Sequence, residues 1–118
     1  MTRESFLNRD KRKGTASHRR APKQEKYLAK RLGGRTTIAS GSKGEKGDVR
    51  VQGVVRIEAK TTKNKSFSVT RDMVRKIEEA ALASDELPVI VIEFNDGNGK
   101  PEMELAIMPM YALASLLA

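Results

Sequence analysis

The sequence predicts one mixed α/β domain: a β-sheet flanked by helices, in the order α-β-β-β-α-β-β-α. The chain has 118 residues, which suits a single hydrophobic core. Apolar and polar residues alternate over residues 48–60, a helical pattern follows, and residues 87–94 (LPVIVIEF) form an apolar run. A strand joined through a helix to a buried strand predicts a parallel crossover, whereas the alternating stretch predicts a hairpin, so the sheet is mixed.

The first half of the domain is predicted to hold one helix and three strands. Residues 22–32 begin with a proline, which suits the first turn of a helix, and two glycines follow and end the helix. Residues 35–39 are β-prone, and residues 40–47 (SGSKGEKG) form a polar, glycine-rich loop. Apolar and polar residues alternate over residues 48–60, with a break at Gln52 and Gly53. This pattern predicts two strands paired as a hairpin.

The second half is predicted to hold two helices and two strands. Ser68 or Thr70 can cap a helix that runs to about residue 84 and carries apolar residues at helical spacing. Residues 87–94 read as a central strand buried on both faces. Residues 103–108 read as the last strand, and residues 110–117 as a short helix that follows a proline.

The charge is concentrated in the first half of the chain. Residues 1–50 contain 15 Lys and Arg against 5 Asp and Glu, whereas the remaining residues contain 8 against 10. Residues 1–21 carry too few apolar side chains to offset their ordering entropy, so we expect a largely disordered basic arm followed by a domain over residues 22–118. Such an arm gains affinity for nucleic acid by releasing counterions from phosphates.

The composition excludes several kinds of site. The chain has no cysteine, which rules out disulfides, thiolate metal sites and a cysteine nucleophile, and its one histidine is His18. No apolar run approaches the roughly 20 residues that span a bilayer, and the first residues lack the apolar stretch of a secretory signal. We therefore expect no membrane partner and a cytoplasmic protein, associated with a nucleoid or present in a phage-infected bacterial cell.

Two acids and one lysine are the strongest candidates for chemistry. Residues i and i+2 of a strand share a face, so Glu58 and Lys60 project together. If the hairpin pairs as predicted, Asp48 comes close to Glu58. Carboxylate oxygens are the ligands that Mg²⁺ prefers, and a nearby lysine can orient a water or stabilise charge on a phosphate. The cluster therefore suits metal-dependent phosphodiester hydrolysis, although most acid–x–Lys pairs on strands are solvated ion pairs.

These residues resemble the PD-(D/E)xK nuclease superfamily. Gly47 and Asp48, followed after nine residues by Glu58-Ala59-Lys60, look like its signature, with glycine in place of the proline. The upstream helix with an acid (Glu25) and the Ser-Gly-Ser stretch are similar to the archaeal and phage Holliday-junction resolvase branch. The resemblance implies a restriction-endonuclease-like core, with Mg²⁺, replaceable by Mn²⁺, held by Asp48, Glu58 and Glu25. It implies that Lys60 positions the attacking water.

A further set of residues is predicted to hold the DNA. All are basic or hydroxyl side chains in the arm or in loops near the proposed site: Arg19, Arg20, Arg35, Ser40, Ser42, Lys43, Lys46, Lys63 and Lys65.

We therefore expect a homodimeric Mg²⁺-dependent endonuclease of recombination and repair that cuts four-way DNA junctions, since two symmetric incisions need two sites. Two alternatives stay open. One is a nicking or restriction-type enzyme of the same fold acting on duplex DNA. The other is a basic protein that binds nucleic acid without cutting it.

Overall fold

The computed structural model describes residues 16–37 and 48–118, with side chains described for residues 20–37 and 49–118. The first 15 residues of the predicted arm and the whole glycine-rich loop (40–47) therefore lie outside the described residues. The elements are α1 (Ala16–Leu32), β1 (Arg35–Thr36), β2 (Asp48–Val51), β3 (Val55–Thr62), α2 (Arg71–Ala83), β4 (Leu87–Asn95), β5 (Pro101–Ile107) and α3 (Met110–Leu117). The predicted mixed α/β class is confirmed.

The five strands form one mixed sheet in the order β1-β2-β3-β4-β5. Strand β2 pairs antiparallel with both β1 and β3, whereas β3 and β4 are parallel and β5 returns antiparallel to β4. The hairpin turns at Gly53, whose φ of 78° favours glycine. Helix α2 makes the crossover from β3 to β4, and the Thr70 hydroxyl caps it by accepting from the Met73 N–H.

A helix packs on each face of the sheet. On one face, Leu28 and Ala29 of α1 pack against Val49, Ile57 and other small apolar residues of β2, β3 and β4. On the other face, Ile77 of α2 packs against Ile90 and Ile92 of β4. Strand β4 is therefore buried from both sides, which explains its nearly uninterrupted apolar run. Among the described residues, no helix is long and apolar enough to span a membrane.

Helix α1 begins six residues earlier than the sequence predicts. It starts at Ala16, so Pro22 lies inside the helix and not in its first turn. A proline removes one backbone hydrogen bond and disfavours a helix interior. An ion pair between Arg20 and Glu93 of β4 holds this early turn against the sheet. That long-range contact stabilises a segment that local pattern assigns to the arm.

The α2–β4 connection is tied to the hairpin by a buried carboxylate. The Glu86 side chain is fully buried, accepts hydrogen bonds from the Arg50 guanidinium at 2.6 Å and from the Gly53 N–H at 3.0 Å, and so joins β2 and its turn to the start of β4. Burial by itself raises the pKa of Glu86, but the hydrogen bonds from Arg50 and Gly53 outweigh it and hold the pKa below its usual value.

This carboxylate predicts a measurable loss of stability in acid. Because the pKa of Glu86 is lower in the folded chain than in the unfolded chain, its contribution is present above the unfolded value of 4.5 and is lost as the pH falls through the folded value. We expect the urea midpoint of the wild type to fall more than that of Glu86→Gln between about pH 6 and about pH 3.5. The two proteins have all other carboxyl groups in common, so an equal fall in their urea midpoints would contradict this role of Glu86.

Candidate active site

The hairpin brings Asp48 and Glu58 to the same level of the sheet. In the register of β2 and β3, Asp48 is the partner of Glu58, and Val49 is the partner of Ile57. Directly opposed residues of antiparallel strands project on the same face, with their Cβ atoms about 4.5–5.5 Å apart. The Asp48 side chain itself is outside the described ones, so the register alone gives its position.

Lys60 contacts Glu58 directly. Its Nζ lies 2.9 Å from Glu58 Oε2, with 38% and 21% of the two side chains exposed. They are paired with Ile90 and Ile92 of β4, on the face of the sheet where Ile77 of α2 packs against these two isoleucines. Because the pair is reached by solvent, its ion pair is weak and both groups are open to a bound anion or cation.

Glu25 is the third acidic group of the site. It is half-buried on α1, and although this helix packs on the opposite face, the charges of Glu58 and Lys60 both act on it. Burial raises the pKa of Glu25, the negative charge of Glu58 raises it further, and Lys60 lowers it. Glu25, Glu58 and Lys60 therefore share one electrostatic environment.

Gln24 also belongs to this site, although it is not among the residues predicted from the sequence. Its side chain is fully buried, and its Nε2 donates a 2.8 Å hydrogen bond to the backbone carbonyl of Lys60. Gln24 precedes Leu28 by four residues, so it lies in the apolar stripe of α1. A polar residue in such a stripe is the signal that identifies it.

A buried polar network lies next to the site. Glu93 of β4 is 0% exposed and accepts hydrogen bonds from the Arg20 Nε at 3.0 Å, from the Arg20 Nη2 at 2.8 Å and from the Thr61 hydroxyl at 2.7 Å. Asn95 in turn donates to the Thr61 hydroxyl at 2.7 Å. The network fixes the residue that follows Lys60 and ties α1 to the sheet.

The network gives Arg20 an internal role in place of the DNA contact expected from the sequence. Only 12% of its side chain is exposed, because the guanidinium is held by the buried carboxylate of Glu93. Its neighbour Arg19 lies in α1, and its side chain is outside the described ones.

Two of the predicted DNA contacts line grooves that adjoin the site. Lys63 and Asn64, just beyond β3, line an open groove of about 500 Å³ together with Thr62 and Ser66. Lys65 lines a second groove of about 460 Å³, on which Lys63 also borders. Proteins position the phosphate backbone of a nucleic acid with lysine, serine, threonine and asparagine side chains of this kind.

The other predicted DNA contacts are farther from these grooves or cannot be placed. Arg35 is exposed on the edge strand β1, opposite Arg50 of β2. The remaining four, which are Ser40, Ser42, Lys43 and Lys46, lie outside the described residues.

The donors at the site suit a hard divalent cation. Two of the three acids, Glu25 and Glu58, lie close enough for the charge of one to raise the pKa of the other, and the register adds Asp48 beside them. A cation between carboxylates offsets such repulsion, and Mg²⁺ needs only one or two carboxylates because it keeps several waters. Among the described side chains, no three acidic or histidine groups form a metal-binding cluster, and that set does not include the Asp48 carboxylate.

Comparisons with family models, curated proteins and solved structures gave no match. A function for this chain is therefore inferred from its own residues and the distances between them. The residues that carry the inference are Glu58, Lys60 and, through the strand register, Asp48.

Proposed function

We propose that this chain is a Mg²⁺-dependent endonuclease of the PD-(D/E)xK type, with a restriction-endonuclease-like core, that cuts four-way DNA junctions. The observation that carries the proposal is the pairing of Asp48 with Glu58, together with the Lys60 ammonium 2.9 Å from the Glu58 carboxylate. A phosphodiester hydrolase needs hard oxygen ligands and a cationic side chain around one phosphate, and this end of the hairpin supplies both.

Asp48 and Glu58 would hold the metal, with Glu25 as a further contact from α1. When bound, Mg²⁺ lowers the pKa of a coordinated water and stabilises charge on the scissile phosphate. Mn²⁺ prefers similar oxygen ligands and would substitute. The carboxylates of the site would hold the cation; of these, Glu25 is half-buried on α1 and the Glu58 side chain is 21% exposed.

Lys60 acts on the reacting atoms. In hydrolysis a water oxygen bonds to phosphorus and one P–O ester bond breaks, which leaves a terminal phosphate and a hydroxyl. The ammonium of Lys60 donates hydrogen bonds that orient the water or stabilise the negative charge that builds on the phosphate oxygens. The ion pair between Lys60 and Glu58 is exposed and weak, so the ammonium can leave the Glu58 carboxylate and bind the water or the phosphate.

The charge of the chain supports DNA as the substrate. The formal charge is +8, and the excess is carried by residues 1–50, at whose end Asp48 lies. Lys63 and Lys65 line the grooves beyond β3 and would hold the phosphate backbone on that side. A nuclease of this kind would act on DNA in the cytoplasm of a bacterial or phage-infected cell.

The proposal for junctions includes a homodimer. One chain supplies one site, and a four-way junction is resolved by two symmetric cuts, which a two-fold dimer provides. Helix α3 and strand β5 expose apolar side chains that a second copy would cover, namely Met103, Leu105, Met110, Leu113 and Leu117.

Cleavage of defined DNA substrates tests the proposed function. The full chain is incubated with end-labelled four-way junction, linear duplex of the same sequence and single strand, each with Mg²⁺ and with EDTA. We expect paired, symmetric cuts confined to the junction in Mg²⁺ and none in EDTA. Equal cutting of the linear duplex would favour a nicking or restriction-type enzyme. Binding without Mg²⁺-dependent cutting of any substrate would leave a non-catalytic nucleic-acid-binding protein.

A further inference from the structure

Helix α1 reaches the backbone of β3 at Lys60. Lys60 is paired with Ile92 of the parallel strand β4. Because the Leu87 N–H donates to the Val54 carbonyl, and successive residues of a strand direct their carbonyls to opposite sides, the Lys60 carbonyl points toward β4. A carbonyl oxygen has two lone pairs, so the Lys60 oxygen can accept from a second donor besides the backbone of β4.

The Gln24 amide supplies that donor. Its Nε2 lies 2.8 Å from the Lys60 carbonyl oxygen, and the Gln24 side chain is 0% exposed. One side chain of α1 is therefore bonded directly to the strand backbone at Lys60. Because Glu25 is the next residue of the helix, the same bond fixes Glu25 relative to Lys60.

The Gln24 side chain carries a cost in folding free energy that packing alone does not explain. Its Oε1 is buried and accepts no hydrogen bond from the described part of the chain. An unsatisfied buried acceptor costs about 1–3 kcal/mol, whereas methionine of similar volume would fill the same space without that cost. The amide is therefore better explained by the bond to the Lys60 backbone than by packing.

We infer that Gln24 is a positioning residue for the cleavage reaction, an inference that rests on the proposed function. The residue does not touch the substrate. It holds the backbone of Lys60, and so sets the direction in which the Lys60 side chain leaves the strand and its separation from Glu25. A misplacement of about 1 Å at a reacting group is enough to cost about 100-fold in rate.

The test compares Gln24→Met with Gln52→Met, the same substitution at an exposed glutamine of the hairpin turn. For Gln24→Met we expect kcat on the junction to fall about 10- to 100-fold while KM stays within about two-fold. In the ¹⁵N spectrum of the apo protein, we expect the Thr61 amide to shift, because it shares a peptide unit with the Lys60 carbonyl. Gln52→Met should leave both measurements at the wild-type values.

The outcomes separate this inference from the proposed function. If the wild type cuts the junction and Gln24→Met has an unchanged kcat, the inference is overturned and the proposed function stands. If kcat, KM and the urea midpoint of Gln24→Met all worsen together, the role is structural and the inference is also overturned. If the wild type cuts nothing, the proposed function fails and takes the inference with it. Should Gln24→Met not fold, the milder Gln24→Asn enters the same two measurements.

Discussion

Replacing Lys60 by alanine is expected to lower the rate of junction cleavage by about 10²- to 10⁴-fold. The ammonium is the cationic group of the site, it lies 2.9 Å from the proposed metal ligand Glu58, and 38% of its side chain is exposed to an incoming phosphate. DNA affinity should change little, because binding draws on many phosphate contacts across a chain of charge +8. Single-turnover cleavage in Mg²⁺ and fluorescence anisotropy in EDTA measure the two quantities separately.

Lys76→Ala is the matched control, since Lys76 is an exposed lysine of α2 away from the hairpin. It removes the same charge from the chain and should cut at the wild-type rate. If both variants lost activity to the same degree, or if Lys60→Ala cut normally, Lys60 would have no part in the chemistry.

Replacing Glu93 by alanine is expected to destabilise the fold by about 3–5 kcal/mol. The substitution leaves the Arg20 guanidinium, whose side chain is only 12% exposed, without its carboxylate partner, and it removes the acceptor of the Thr61 hydroxyl. Breaking a buried ion pair is costly because the remaining charge stays desolvated. The free energy of unfolding in urea measures the effect.

The chain offers a matched control in the Arg31–Glu104 pair. Its N–O distance is also 2.8 Å, but its side chains are 46% and 22% exposed. Glu104→Ala should therefore cost less than about 1 kcal/mol. The double variant Arg20→Met, Glu93→Met should recover much of the loss, because it removes both buried charges. If Glu93→Ala and Glu104→Ala lowered the free energy of unfolding equally, burial of the Arg20–Glu93 pair would not be what makes it important for stability.

The elements with the strongest local patterns are those that the sequence predicts best. Residues 87–92 form an uninterrupted apolar run, and the strand occupies Leu87–Asn95. Helix α2 has an N-cap residue at Thr70 and apolar residues at helical spacing, of which Ile77 and Ala81 are buried. In these segments periodicity, capping and burial favour the same structure, so no long-range information is needed.

Long-range contacts explain what the sequence does not predict. The early turn of α1 is stabilised by Glu93, which is 73 residues away from Arg20. The same ion pair gives Arg20 a buried role, whereas its surroundings in the sequence suggest a solvated basic arm. The local sequence pattern does not reveal so distant a partner. It shows only a proline within a basic segment, which by itself predicts no helix before Pro22.

The candidate site is predictable to the extent that it depends on one hairpin. Alternation and the turn at Gly53 are enough to place Asp48 opposite Glu58 and Lys60 on their face. Gln24 is different, because its bond to the Lys60 carbonyl depends on how α1 crosses β3. That crossing is a property of the tertiary structure.

Binding of Mn²⁺ by the apo protein tests the central claim most directly, because it depends on the carboxylates and not on the choice of DNA. Electron paramagnetic resonance follows the loss of the free Mn²⁺ signal on titration with wild type, Asp48→Asn, Glu58→Gln and the control Asp72→Asn, an exposed acid of α2. We predict saturable binding by the wild type and by Asp72→Asn, and its loss in both Asp48→Asn and Glu58→Gln. Binding that survives in these two variants, or no binding by the wild type, would contradict a shared metal site at the end of the hairpin.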